Sequence, residues 1–295
     1  MAILNYGSIN IDYVYQLPAI VEPGQTLASE GLSKGLGGKG ANQSVAIAAA
    51  GGEVTHLGQL GKDGRWAAEE LAQRGVNTRL ITLADEPSGH AIIQVDRQGE
   101  NAIVVHGGAN QSCKPAALAA ALSSSNPWSY LLLQNECNLL AEAIELARGR
   151  GLPVILNPAP MSDCAKAAPL EHVDTLVLNE TEACMLSGQS NPDAALDRLQ
   201  KKYPGVRLVL TLGRRGAVLW HCDERISVDA PEVAVLDTTA AGDTFVGYFV
   251  AGLAAGMSNA ETLARAVFAG ALAVTRSGAV ASIPANEAVT QAMSD

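Results

Sequence analysis

The chain has 295 residues, 48% of them hydrophobic and 4% aromatic, with a formal net charge of −10. That length supports one large α/β domain or two ordinary ones, and the acidic balance, with no run of five basic residues, argues against a nucleic-acid partner. Five scattered cysteines without a CxxC pair, and no uncharged stretch long enough to cross a bilayer without breaks, give the expectation of a soluble cytoplasmic protein with reduced thiols and no membrane association.

Ala2–Tyr6 reads as a short buried strand. Residues 12 to 33, loosely alternating and broken by Pro18, Pro23 and Gly24, read as short strands and turns. A glycine loop from Gly35 to Gly40 then opens an apolar helix, Ala41–Ala50, which stops at Gly51 and Gly52. Val54–Leu60 is the next strand and Arg65–Arg74 the next helix, ended by Gly75. Residues 88 to 107 differ: Ala91–Asp96, a turn over Arg97–Glu100, and Asn101–His106 read as a β-hairpin. Together with the strands before Gly35 it forms a small separate sheet.

From residue 115 the pattern is regular. Strands at Tyr130–Gln134, Pro153–Leu156, Asp174–Leu178 and Arg207–Leu212 interleave with helices at 115–124, 138–150, 181–187 and 192–203. The fold class is therefore α/β, a doubly wound, mostly parallel sheet flanked by helices. The expected organisation is a single domain over 1–295, with segments about 12–34 and 88–107 forming a small β-sheet lid.

Polar residues recur where these strands end. Asn10 and Asp12 follow the first strand, and Asn157–Pro160, Asn179–Glu182 and Thr211–Gly216 follow later ones. One such group is a helix cap or a turn; four at equivalent places suggest a shared crevice. The glycine loop Gly35–Gly40 satisfies G-x-G-x-x-G, with Asp63 near the distance of a dinucleotide fingerprint. The preceding Ser29–Lys34 makes a poor hydrophobic strand, however, and Lys39 is followed by Gly40, so it is not a P-loop either. What remains is flexible backbone with Lys39 and Asn42 at a helix start, suited to gripping a small polar ligand.

Asp237–Phe245 (DTTAAGDTF) follows an expected strand at Val233–Leu236. Its small residues bare backbone N–H groups at the start of an apolar helix, and Asp243 closes the run: anion donors and a proton acceptor within about one turn. Asp243 could be an ordinary N-cap, but a cap does not need Ala240, Ala241 and Gly242 before it. Asp237 is a candidate second carboxylate or cation ligand. His56, His90, His106, His172 and His221 lack metal spacing and read as surface or packing residues. Phe245, Phe249 and Phe268 read as core, with Phe268 a candidate neighbour for a purine.

Gly37–Gln43 near the start and Asp237–Phe245 near the end, with Asn179–Glu182 and Thr211–Gly216 between them, make the chain resemble the ribokinase/phosphofructokinase-B family of carbohydrate kinases from about residue 3 to about 285. The resemblance implies a doubly wound body with a β lid that forms a homodimer contact. It makes Asp243 the base and the backbone of Ala240, Ala241, Gly242 and Asp243 the anion hole. Asn179 and Glu182 would organise Mg²⁺ and the phosphates through water, while Thr211, Gly213, Gly216 and Gly242 would hold ATP. A K⁺ ion would sit among Asp237, Thr239, Ala273, Arg276, Gly278 and Ser282, largely on carbonyls. The sugar would meet Asn10, Asp12, Gly38, Lys39, Asn42 and Glu136, a set suited to an uncharged polyhydroxylated ring. Lys39 is the only cation there, against a phosphosugar, and residues 10–43 and 91–106 offer no Phe or Trp slot for a nucleoside base. The implied activity is ATP-dependent phosphorylation of the 5-hydroxyl of D-ribose. The alternatives are 2-deoxyribose, a hexose or a nucleoside as acceptor, a sugar-binding regulatory protein without turnover, and a dinucleotide-dependent dehydrogenase.

Overall fold

In the computed structural model, which describes residues 1–123 and 127–294, the first half of the chain alternates between two sheets. It runs β1 (Ala2–Tyr6), β2 (Asn10–Gln16), β3 (Gly31–Gly37), α1 (Lys39–Ala49), β4 (Glu53–Leu60), α2 (Arg65–Gln73), β5 (Asn77–Leu83), β6 (Gly89–Val95), β7 (Asn101–His106) and α3 (Pro115–Leu122). The middle adds β8 (Trp128–Gln134), α4 (Leu140–Arg148), β9 (Val154–Asn157), α5 (Asp163–Ala167), β10 (Thr175–Asn179), α6 (Glu180–Ser187), α7 (Pro192–Lys202) and β11 (Arg207–Thr211). A hairpin of β12 (Ala217–His221) and β13 (Glu224–Val228) precedes α8 (Ala241–Ala254), α9 (Asn259–Ala273) and α10 (Asn286–Ser294).

Among the described residues the large sheet has nine strands in the order β13-β12-β11-β10-β9-β8-β1-β4-β5. Its pairs are parallel from β5 to β11, and only those that β12 makes with β11 and β13 are antiparallel. Side chains alternate across it with a period of two, so each central strand feeds two cores. Ile3, Leu132, Ile155, Val177 and Val209 point to the layer holding α1, α8 and α9. Their neighbours Leu4, Leu131, Leu133, Leu156, Leu176 and Leu208 point to the layer of α3, α4, α6 and α7. α8 is buried along nearly its whole length, as a helix apolar on every side after Asp243 and Thr244 must be.

Gly247 lets α1 lie directly on α8: a Cβ there would stand 2.3 Å from the Ala46 methyl and 2.9 Å from the Gln43 carbonyl. This approach brings the start of α1 within side-chain reach of the start of α8.

The second sheet has the order β3-β2-β6-β7, with β2 and β6 parallel and the two outer pairs antiparallel. Its strands take in residues just outside the expected lid segments, beginning at Asn10 and running on to Gly37. The glycine loop is corrected: Gly35–Gly37 completes β3, and the single residue Gly38, at φ 90° and ψ 135°, turns the chain into α1. The run therefore ends a strand of the small sheet and does not follow a core strand, which removes the dehydrogenase reading.

Four further parts of the chain differ from expectation. Val233–Leu236 forms no strand; Val235 and Leu236 are exposed. β5 and β13 are edge strands whose Thr, Asn, Arg and Glu residues interrupt the hydrophobic pattern, and the apolar β12 between β13 and β11 is not read as a strand from the sequence either. The expected helix 115–124 ends at Leu122, and its final position lies outside the described residues. His56, a packing residue as expected, is fully buried between Ser44 Oγ (2.8 Å) and the Gly7 carbonyl (3.1 Å); burial pulls its pKa down to about 4, so it is neutral.

Candidate active site

The strand order reverses between β1 and β8: β4 and β5 extend one side, and β9 to β11 extend the other. Crevices form beyond the carboxyl ends at such switch points. β1 ends at Tyr6 and β8 at Gln134, so Ser8, Asn10 and Glu136 emerge there. Glu136 Oε2 accepts hydrogen bonds from Ser8 Oγ and from the Lys39 backbone amide at 3.1 Å, and burial holds its carboxyl above the usual range. Asn10 is buried, with its Oδ1 accepting from Asn110 Nδ2 at 2.7 Å. Asp12 lies on β2 in the small sheet. Burial, reinforced by the charge of Glu136, pushes its carboxyl up to about 7, and no protein donor among the described residues reaches its oxygens.

Asp243 stands in the first turn of α8, not at the cap. The N-cap is Ala240, a left-handed residue at φ 59° with no side chain to close the helix end. The helical ladder begins at Thr244, whose amide donates to the Ala240 carbonyl at 2.8 Å. The amide of Ala241 leans to the Thr238 carbonyl at 3.3 Å, leaving those of Gly242 and Asp243 as the forward-facing donors. Two amides from α1 grip the Asp243 carboxylate: Asn42 Nδ2 donates to Oδ2 at 2.9 Å and Gln43 Nε2 to Oδ1 at 2.9 Å. Asn42 Oδ1 is buried and has no partner in the protein. The negative charge of Asp243 holds the Lys39 ammonium above its usual range, although burial works the other way.

Beside this helix start opens a cleft of about 850 Å³ whose lining includes Thr211, Gly213, Gly216, Thr238, Ala241, Gly242, Phe245, Val267 and Gly270. Phe245 supplies an aromatic wall; Phe268, the expected purine neighbour, instead packs partly buried against the core. Asn179 and Glu182 close a capping box on α6: Asn179 Oδ1 accepts from the Glu182 amide at 2.8 Å, and Glu182 Oε2 accepts from the Asn179 amide at 3.0 Å. One oxygen of each is thus committed to the helix, and burial raises the Glu182 carboxyl.

Asp237 draws two backbone segments together, accepting from the Thr239 amide at 2.9 Å and the Gly278 amide at 2.8 Å. Burial works to raise its carboxyl, yet the hydrogen bonds from Thr239, Gly278 and Ser277 outweigh it and hold the group below the usual range. α9 ends at Ala273, whose carbonyl accepts from the Arg276 amide at 3.2 Å, and the Ser282 hydroxyl donates to the Ala279 carbonyl at 2.8 Å. Among the described residues no three His, Cys, Asp or Glu side chains are grouped so that they could hold a metal ion.

The sequence matches the pfkB family carbohydrate kinase profile over residues 2–286. The chain belongs to this family. Ribokinase of Staphylococcus aureus (strain COL) is 36% identical over 299 residues, covering 97% of this chain and 97% of the relative. Among solved structures, ribokinase from Cryptococcus neoformans var. grubii serotype A in complex with ADP superimposes with a TM-score of 0.88 at 35% identity, covering 99% of both chains. Arabidopsis thaliana ribokinase complexed with ribose and ATP does so with a TM-score of 0.86 at 28% identity, covering 99% of this chain and 98% of that one. The protein is accordingly a carbohydrate kinase, and among its described residues no helix is long and apolar enough to cross a membrane.

In this kinase Lys39, Asn42, Glu136 and Asp243 are joined by direct contacts or mutual charge, whereas Thr211, Gly213 and Gly216 line the neighbouring cleft. Sequence reasoning passes over Asn5, Gln43, Gln134 and Asn110. Asn5 and Gln134 carry a signal: each is a polar residue on an otherwise apolar core strand, a costly placement unless hydrogen-bonded.

Proposed function

We propose that this kinase transfers the γ-phosphoryl group of ATP to the 5-hydroxyl of D-ribose. The observation that carries the reading is the Asp243 carboxylate, held by Asn42 and Gln43 at an uncapped helix start between the acceptor residues of the switch point and the adjoining cleft. ATP fills that cleft with its adenine against Phe245 and Val267 and its phosphates toward the amides of Gly242 and Asp243, with Ala240 and Ala241 keeping side chains clear of them. Asn10, Asp12, Gly38, Lys39, Asn42 and Glu136 surround the sugar, the free Asn42 Oδ1 accepting a hydroxyl proton. Three carboxylates (Asp12, Glu136, Asp243) against one ammonium disfavour a phosphorylated sugar and suit neutral hydroxyls.

Asp243 takes the proton of the attacking hydroxyl as its oxygen closes on the γ-phosphorus. The amides at the start of α8 and the buried Lys39 ammonium then face the charge that spreads over the transferring group. Mg²⁺ is expected on the ATP phosphates, with Glu182 holding its water shell through the oxygen left free by the capping box, and it would supply charge neutralisation. The carboxylate of Asp237 and the carbonyls of Thr239, Ala273, Arg276, Gly278 and Ser282 form an all-oxygen set suited to K⁺, which would raise the local positive potential. The exposed Ile103, Val104 and Val105 on the edge strand β7 favour a homodimer through the small sheets. The reading is tested by ADP release with ribose, 2-deoxyribose, hexoses and nucleosides as acceptors, and by the position of the new phosphate in the NMR spectrum of the product. Ribose should be the best acceptor and carry phosphate on C5; no ADP release with ribose defeats the proposal.

A further inference from the structure

Gln43 differs from its neighbour Asn42 in one respect. Asn42 keeps a buried amide oxygen with no protein partner, whereas Gln43, fully buried, engages both of its polar atoms with the protein. Its Oε1 accepts from Gln134 Nε2 at 2.7 Å, and its Nε2 donates to Asp243 Oδ1 at 2.9 Å and Asn157 Oδ1 at 3.1 Å. Nothing is left with which to touch a substrate.

A terminal amide has nearly the same shape either way round, so packing alone does not decide which end faces Asp243. Hydrogen bonds decide it, and here they lead back to groups that cannot flip. Asn5 Nδ2 donates to the Gly40 backbone carbonyl and to Ser44 Oγ, both at 2.8 Å. Asn5 Oδ1 must then face Gln134, which presents Nε2 to it at 3.0 Å and, with the same nitrogen, to Gln43 Oε1. On the other side Asn157 Nδ2 donates to the Val177 carbonyl at 3.1 Å, so its oxygen faces Gln43. Two backbone carbonyls, on α1 and β10, thereby fix the amide of Gln43 with its N–H toward the carboxylate. Reversed, an amide oxygen would oppose Asp243 Oδ1.

We infer that Gln43 is a positioning residue for phosphoryl transfer, and that the buried chain Asn5–Gln134–Gln43 sets the orientation of the Asp243 carboxylate. The inference rests on the reading of Asp243 as the base. A hydrogen bond to a carboxylate in a buried site corresponds to about 10- to 100-fold in rate. Gln43→Met should therefore lower kcat by about 10- to 100-fold, with KM for ATP and the dissociation constant for ribose unchanged, because no substrate contact is removed.

Gln134→Met should give a smaller loss of the same kind. The double variant should be no worse than Gln43→Met alone, since Gln134 reaches Asp243 only through Gln43. Unchanged kcat in folded Gln43→Met overturns the inference, as does a double variant whose losses multiply. If Gln43→Met does not fold, Gln134→Met decides: a fall in kcat at constant KM supports the chain, and full activity refutes it. Asp243→Asn is measured in parallel. An inactive Asp243→Asn beside a normal Gln43→Met sinks only this inference, whereas an active Asp243→Asn sinks the assignment of the base as well.

Discussion

Replacing Asp12 with asparagine should stabilise the empty kinase while weakening its hold on the sugar. Its carboxyl is raised from 3.8 to about 7, by burial first and then by the charge of Glu136. A folded-state pKa above the unfolded one means that the acid form is favoured by folding. The associated stabilisation is complete below about pH 4, is lost as pH rises toward 7, and is gone above that. A rise of that size corresponds to an upper bound of roughly 4 kcal/mol lost by pH 8, of which roughly 3 is lost between pH 5 and pH 8. The asparagine amide has no proton to lose, so urea unfolding of Asp12→Asn without ligand should show a stability gain over wild type about 3 kcal/mol larger at pH 8 than at pH 5. With ribose present the order should reverse, because the amide puts N–H groups where the carboxylate accepts from hydroxyls; the KM for ribose should rise about 10- to 100-fold. Parallel stability profiles of the two proteins across pH would refute the reasoning.

Asp243→Asn should lower kcat by about a hundred- to ten-thousand-fold in an ADP-release assay. It should also lower Tm, since one amide oxygen must meet two converging donors where two carboxylate oxygens met them before; near-normal turnover would rule out the base. Gly247→Ala should destabilise the fold by about 1–3 kcal/mol by forcing α1 off α8, and should lower kcat along with Tm; a neutral effect in calorimetry would show that the helix contact can relax. K⁺ should stimulate turnover more than Na⁺ at equal ionic strength, and indifference to both removes the cation site around Asp237. Val104→Asp should shift the protein from dimer to monomer in light scattering, and an unaltered mass would place any dimer contact elsewhere.

Most central strands are legible because they centre on Val, Leu and Ile buried on both faces, β4 with its buried Thr55 and His56 being more mixed, and β1, β4, β8, β10 and β11 lie within two residues of expectation. Edge strands such as β5 and β13 are not, since one side faces water and accepts Thr, Arg and Glu. At the site, Asp243 and Lys39 announce themselves as charges beside small residues, whereas Glu136, between Asn135 and Cys137, enters only through the family resemblance. Asn179 reads as a phosphate organiser, and its bonds to Glu182 show that a cap and a site residue leave the same trace in a sequence. Gln43 leaves no such trace beside Asn42: its meaning depends on Gln134 and Asn5, which only the folded sheet brings within reach.

The hydrogen bond from Asn42 to Asp243 joins residues 201 positions apart in sequence. Residues for the acceptor are made early in synthesis, the strands behind the cleft next, and the helix carrying the base nearly last. Phe245, Val267 and Gly270 of the cleft wall lie on that late helix and the next, so the clamp on Asp243 and the nucleotide cleft are both complete only when α1 has closed on α8. On the reading of Asp243 as the base, activity therefore requires two segments far apart in sequence to have packed together.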